Sequence, residues 1–133
     1  MSLPVSHIMR TSVVVCEENT PLRRVAEIML NEHIGSVLIN SGEKTVGIIT
    51  MKDLLRAVLQ EADFVSTKAK QIMSSPVETC RCDITLEEAI KLFEATGKSR
   101  LVVIKEDAVV GILKRSIAER FKGVSGLYQF SPK

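Results

Sequence analysis

The sequence predicts an α/β protein made of two pseudo-two-fold-related repeats, each a small sheet with packed helices. Three observations lead there. Short continuous apolar runs, the mark of buried strands, alternate with apolar residues at helical three-to-four spacing. The whole pattern recurs at a constant offset, with Gly47 and Gly111 standing 64 residues apart. Neither copy alone is long enough to close a good core, so the two must bury apolar faces together.

In chain order, residues 4–9 read as a turn of helix leading in, and Val13-Val14-Val15 as a brief strand. Asn19-Thr20-Pro21 signals a helix start, with a polar cap and Pro in the first turn. Leu22, Val25, Ala26, Met29 and Leu30 follow the spacing of one buried helix face, and Gly35 closes the unit. Val37-Leu38-Ile39 is a strand, Asn40-Ser41-Gly42 a turn, and residues 45–50 the returning strand of a hairpin. A second helix, residues 51–61, is expected to bury Leu54, Leu55 and Val58. The apolar pattern fades over residues 62–68, the expected linker. Beyond it the same order returns, pairing Ile8 with Ile72, Met9 with Met73, Cys16 with Cys80, Leu22 with Leu86 and Arg56 with Arg120 without insertion. The expected organisation is therefore repeat 1 at 5–61, linker at 62–68, repeat 2 at 69–122 and a tail at 123–133, whose alternating Tyr128 and Phe130 suit docking as a strand or into an apolar groove and whose glycines suit a disordered end equally well.

The 133 residues are 45% apolar and 26% charged, the mixture of an ordinary globular protein. With no Trp and one Tyr, the core has to come from Val, Ile, Leu, Met and Ala. Eighteen Lys and Arg are scattered among sixteen acids for a net charge of +2, which argues against a nucleic-acid partner. No apolar run approaches a membrane span and no secretory pattern opens the chain, so a cytoplasmic protein without a membrane partner is expected. Cys16, Cys80 and Cys82 are then expected as reduced thiols. Cys80-Arg81-Cys82 offers half of a zinc site, but His7 and His33 show no partner spacing to complete four ligands.

Chemistry concentrates at Val46-Gly47-Ile48-Ile49-Thr50-Met51-Lys52-Asp53, where a strand hands over to a helix. A helix start presents unpaired N–H groups and the positive end of the helix dipole. A hydroxyl and a carboxylate three residues apart there suit an anionic, polyhydroxylated ligand. The same two residues, Thr50 and Asp53, also spell a capping box, in which each side chain satisfies the other's amide. Both readings stand on spacing alone.

The ordered set Ile8-Met9, Thr20-Pro21-Leu22, His33-Ile34-Gly35-Ser36-Val37-Leu38-Ile39 and Gly47 to Asp53 resembles the tandem domains named after cystathionine β-synthase, CBS domains. The second half matches through Ile72-Met73, Thr85-Leu86-Glu87-Glu88-Ala89, Gly97-Lys98-Ser99-Arg100-Leu101-Val102-Val103 and Val109-Val110-Gly111-Ile112-Leu113. The resemblance implies a regulatory module, not an enzyme, that needs no cofactor and senses an adenosyl nucleotide of the AMP, ADP, ATP or S-adenosylmethionine class in the cleft between repeats. It implies that Asp53 takes the ribose hydroxyls and that Thr50 lies near ribose and phosphate. Arg10, Thr11 and Ser12 would form a loop around the nucleotide, Val13 and Ile34 would flank the base, and Arg100 would reach a phosphate. Pairs of this family dimerise through their helices, so a homodimer is expected, with an effector protein as a further partner.

The second repeat departs from the pattern. Lys114 stands at the Thr50 position and Ile117 at the Asp53 position. Ile accepts no hydrogen bond, so this junction has no group for a ribose, although Lys114 and Arg115 offer charge for phosphates. Two alternatives remain: a structural dimerisation scaffold in which Thr50 and Asp53 only cap a helix, and an accessory fragment related to the CBS insertion of inosine-monophosphate dehydrogenase.

Overall fold

A computed structural model describes residues 3–122 of the chain. The Tyr128 and Phe130 docking expectation lies outside the described residues. Two mixed α/β units of the same design are present, and their boundaries cut across the sequence repeats. One unit is Val13–Val77; the other joins Met1–Ser12 to Glu78–Lys133. They are called here the first-repeat and second-repeat units.

In the first-repeat unit, strand β1 (Val15–Glu17) runs parallel to β2 (Ser36–Ser41), which pairs antiparallel with β3 (Lys44–Thr50). Helix α1 (Leu22–Glu32) makes the crossover between the parallel strands, and α2 (Met51–Leu59) and the short α3 (Ala69–Ile72) follow β3. The β2–β3 hairpin closes through Gly42 and Glu43, and Gly42 takes the positive φ of 63° that a two-residue turn requires. The second-repeat unit repeats the plan with β4 (Thr79–Arg81), α4 (Leu86–Thr96), β5 (Arg100–Lys105), β6 (Ala108–Lys114) and α5 (Arg115–Arg120). The registers match as well: Val15 faces Leu38 where Thr79 faces Val102, and both hairpins shift register at the same place, after Ile39 and after Val103. The expected order of strand, helix, hairpin and helix is thus present in both copies, although Pro21, expected in the first turn of α1 behind a polar cap, is itself the N-cap and no side chain caps the helix.

The first-repeat core gathers Cys16, Leu22, Val25, Met29, Val37, Ile39, Ile49, Leu54 and Ala57 between the sheet and its helices. Its counterpart gathers Val5, Leu86, Ala89, Phe93, Leu101, Val103, Leu113 and Ala118. Three residues expected in the core lie outside it. Leu55 and Val58 do not enter the core but stand 59% and 56% exposed, and Leu30 is 70% exposed. Successive helical residues point about 100° apart, and α2 is turned so that Leu54 and Ala57 meet the sheet, which carries Leu55 and Val58 round to the outer side. The apolar stripe in the sequence is wider than the face that the fold covers.

The lead-in segments explain the boundaries. Val5, in a short 3₁₀ turn (Val5–His7), is fully buried in the second-repeat core, and its amide donates to the Ile84 carbonyl at 3.1 Å. The Leu86 amide donates to Leu3, and Arg10 exchanges both backbone bonds with Ile112 at 2.8 and 2.9 Å. Residues 69–74 do the same for the first-repeat unit: Ala69 is fully buried in its core, and Ser74 exchanges both backbone bonds with Ile48. Each sheet is therefore edged by the lead-in of the other sequence repeat.

Candidate functional site

The strand-to-helix junction at Thr50 is built by β3 ending in an extended residue, with φ −110° and ψ 169°, from which α2 departs. The Met51 amide is taken by the Gly35 carbonyl at 3.1 Å. Asp53 Oδ2 accepts from the Thr50 amide at 2.8 Å and from the Thr50 hydroxyl at 3.1 Å, while Thr50 Oγ1 accepts from the Asp53 amide at 3.4 Å. This is a capping box, satisfying helix-end and flanking donors reciprocally. The remaining oxygen, Oδ1, accepts from Arg56 at 3.3 Å. The Asp53 side chain keeps 11% of its surface and Arg56 keeps 59%, so the pair is anchored at the carboxylate and open at the guanidinium. Nothing in the sequence reading assigned Arg56 to this carboxylate, although its place one helical turn after Asp53 is the signal that could have done so.

Behind the junction, Gly47 lets Met73 lie directly on β3: a Cβ there would come within 2.7 Å of Met73 Cγ as well as against Sδ. The twin contact is Gly111 under Met9, where a Cβ would lie 2.8 Å from Met9 Cγ and 3.0 Å from the Arg10 carbonyl oxygen. The Ile8-Met9 and Ile72-Met73 pairs of the sequence thus end in methionines that seat on the other repeat's glycine.

The second junction has a different chemistry. Lys114 precedes α5 with no side-chain cap. Arg115 turns back into its own unit, with Nε donating to Glu119 Oε2 at 2.8 Å, an N–H donating to the Phe93 carbonyl at 3.3 Å, and its amide donating to Ser99. Ile117 is half-buried where the twin has Asp53.

Of the remaining candidates, Val13 and Ile34 belong to the first-repeat unit with Thr50 and Asp53, and both are half-buried. Arg10, Thr11, Ser12, Arg100, Lys114 and Arg115 belong to the second-repeat unit. Arg10 lies against β6, and burial lowers its guanidinium pKa; Thr11 and Ser12 are exposed. Arg100 begins β5 and donates to Ser99 Oγ at 3.3 Å. His33 is the C-cap of α1, in the left-handed conformation at φ 56°. A groove of about 550 Å³ between residues 81–83 and 104–107 holds none of these side chains. Among the described residues, no group of three or more His, Cys, Asp or Glu could hold a metal ion, and no helix is long and apolar enough to cross a membrane.

The model of the CBS domain matches residues 5–60 and again residues 69–122. The chain belongs to the CBS-domain family. It carries two CBS repeats, and CBS pairs are regulatory modules. An uncharacterised protein of Methanopyrus kandleri, MK0525, is 32% identical over 115 residues, covering 84% of this chain and 59% of its own length. Two relatives from Methanocaldococcus jannaschii are covered over only 36% and 39% of theirs, so the chain spans between about a third and three-fifths of these curated relatives. Among solved structures, the CBS-domain pair of protein MJ0100, in complex with 5′-methylthioadenosine and S-adenosyl-L-methionine, superposes with a TM-score of 0.80 at 23% identity, covering 94% of this chain and 99% of that one. The hexameric CBS-CP12 protein from bloom-forming cyanobacteria gives 0.85 at 20% identity, covering all of this chain and 77% of that one. These likenesses establish the CBS-pair fold.

Proposed function

We propose that this CBS pair is a regulatory module that binds an adenosyl nucleotide, of the AMP, ADP, ATP or S-adenosylmethionine class, at the Thr50–Asp53 junction of its first repeat. One observation carries the reading: of two junctions built on the same strand, register and helix, only this one holds a hydroxyl and a carboxylate, where its twin has Lys114 and Ile117. Asp53 takes the ribose hydroxyls, and the α2 N-terminus with Thr50 faces the phosphate or the equivalent polar group. Val13 and Ile34, in the same unit, offer apolar contact to the base. The module is not an enzyme in this reading and works in the reducing cytoplasm as a homodimer that reports to an effector protein. Ligand can shift its state only as far as it binds one arrangement better than another.

Calorimetric titration with a panel of adenosyl compounds tests this, and 5′-methylthioadenosine and S-adenosylmethionine join it because the MJ0100 pair binds both. Binding that falls at least tenfold in Asp53→Asn is the expected outcome; binding that survives unchanged removes Asp53 from the ribose. Variants of Arg10, Arg100, Lys114 and Arg115 in the same titration test whether those cations meet the ligand's phosphates. The closed capping box favours one rival, a scaffold in which Thr50 and Asp53 serve only the helix. No heat and no thermal shift with any compound would establish it.

A further inference from the structure

Cys80 and Cys82 stand two places apart on β4 and its extension, a spacing that returns side chains to the same face of a strand. Both are free thiols. Cys80 is buried in the second-repeat core, and Cys82 packs half-buried against that same core. The ladder runs on past Arg81, since the Cys82 amide donates to the Ile104 carbonyl at 3.0 Å, which keeps the pair extended. The two thiols also act on each other electrostatically: burial, with Cys82 adding to it, raises the Cys80 thiol to about 11. The first repeat is an internal control. It has Cys16 at the Cys80 position but Glu18 at the Cys82 position, where the carboxylate accepts from the Ser41 hydroxyl at 2.9 Å. The architecture therefore does not need a second thiol at this place, and one repeat alone carries it.

Spacing decides what the pair can hold. Extended residues two apart have Cα atoms about 6.6 Å from each other, at the far edge of what a disulfide spans. A shared metal ion asks less, because two bonds of about 2.3 Å leave its sulfurs ~4–5 Å apart. Half of a tetrahedral zinc site is also the whole ligand set of a soft monovalent ion held in line between two thiolates. Among the described residues, no larger ligand group competes for that ion.

We infer that Cys80 and Cys82 form a two-coordinate site for a soft monovalent cation of the copper(I) class, entered through the groove beside Cys82. That groove, of about 550 Å³, has Cys82 in its wall with Arg81, Lys105, Asp83, Glu106 and Asp107. Two cations against three carboxylates leave it net negative, which draws a cation in. On binding, each thiol releases its proton to water and forms one sulfur–copper bond, giving a bis-thiolate with one negative charge and no change of oxidation state. Burial keeps Cys80 protonated while the site is empty, and the ion takes the place of that proton. The site lies at the hairpin end of the second-repeat sheet, the opposite end of β6 from Lys114, and does not depend on the nucleotide reading.

The test is anaerobic titration of the reduced full chain with copper(I), in competition with the chromogenic chelator bicinchoninate, whose colour falls as the protein withdraws the ion. The wild type is expected to withdraw one copper per chain, with two sulfur neighbours in its copper X-ray absorption. Cys82→Glu, the exchange that the first repeat already shows to be compatible with the fold, is expected to weaken binding by about a hundredfold or more through loss of the chelate. Its circular dichroism should be unchanged. Cys82→Ser, a smaller alteration, and Cys80→Ala should lose affinity to the same extent, while Cys16→Ala should leave it as it is. Failure to withdraw copper from the chelator overturns the site, and so does binding that survives Cys82→Glu and Cys82→Ser. One copper per two chains, or an equal loss in Cys16→Ala, also overturns it, because the ion is then held by thiols outside this pair.

Discussion

Asp53 and Thr50 hold each other at the start of α2: the carboxylate accepts both the Thr50 amide, at 2.8 Å, and its hydroxyl, and the hydroxyl accepts the Asp53 amide. A ribose at this carboxylate would compete with the helix's own cap. Any affinity measured for the site is therefore net of the cap bonds it gives up.

Removing either partner should cost stability even without ligand. Thr50→Ala and Asp53→Ala are each expected to destabilise the protein by about 0.5–2 kcal/mol, and the double variant by less than their sum because both break one reciprocal pair. Urea unfolding of the three variants checks this. Additive losses would mean that the two residues act separately.

The two glycine contacts should differ in their response to a methyl group. Gly111→Ala drives a Cβ against the Arg10 carbonyl at 3.0 Å as well as Met9, and backbone cannot move aside as a thioether can. At Gly47 the three nearest atoms to the added methyl are all in the Met73 side chain. The expected loss is about 1–3 kcal/mol for Gly111→Ala and less for Gly47→Ala, read from thermal or urea melts. Met73→Ala should relieve the Gly47 variant.

Thiol ionisation sets an alkaline limit. Burial, with Cys82 adding to it, raises the Cys80 thiol from 9.0 to about 11, and burial raises Cys16 as well. The fold therefore favours the neutral thiol. Above pH 9 the unfolded chain holds fewer protons than the folded one, so stability complete below that pH is lost as pH climbs through 11. The urea midpoint in the presence of reductant should fall over that interval, less steeply in Cys80→Ala. In the native protein, a thiol reagent at pH 8 should modify Cys82 well before buried Cys16 and Cys80.

Val5→Ala offers a test of the exchanged lead-ins. Val5 is fully buried among Leu86, Phe93 and Leu113, so the expected loss is about 1.5–3 kcal/mol. Hydrogen exchange should accelerate first in β5 and β6, far along the chain from residue 5, while β2 and β3 keep their protection. Faster exchange in β2 and β3 would contradict the assignment of this segment to the second-repeat unit.

Much of the fold was legible because it is local. The hairpins are marked by apolar runs around Gly42 and its counterpart, the α1 start by Pro21, and the duplication by the constant offset that the registers reproduce. What the sequence left open is how each element is turned. Leu30, Leu55 and Val58 fit a helical apolar stripe as well as Leu22 and Leu54 do, and only the sheet decides which members meet it. The lead-in exchange was hidden for a related reason: repeats show where a pattern recurs, not which copy of the sheet a segment joins. At the site, Thr50 and Asp53 were legible from spacing, but that spacing fits both a cap and a ligand pocket, and the geometry shows the cap directly.

The exchanged lead-ins also bear on how such a chain can arise. A polypeptide with one repeat would carry a lead-in that belongs on another repeat's sheet, and a β-strand edge and a bare glycine waiting for someone else's methionine. It could complete itself only by trading segments with an identical neighbour. Joining two such chains end to end turns that trade into an intramolecular one, after which the halves are free to diverge, as Asp53 and Ile117 have done.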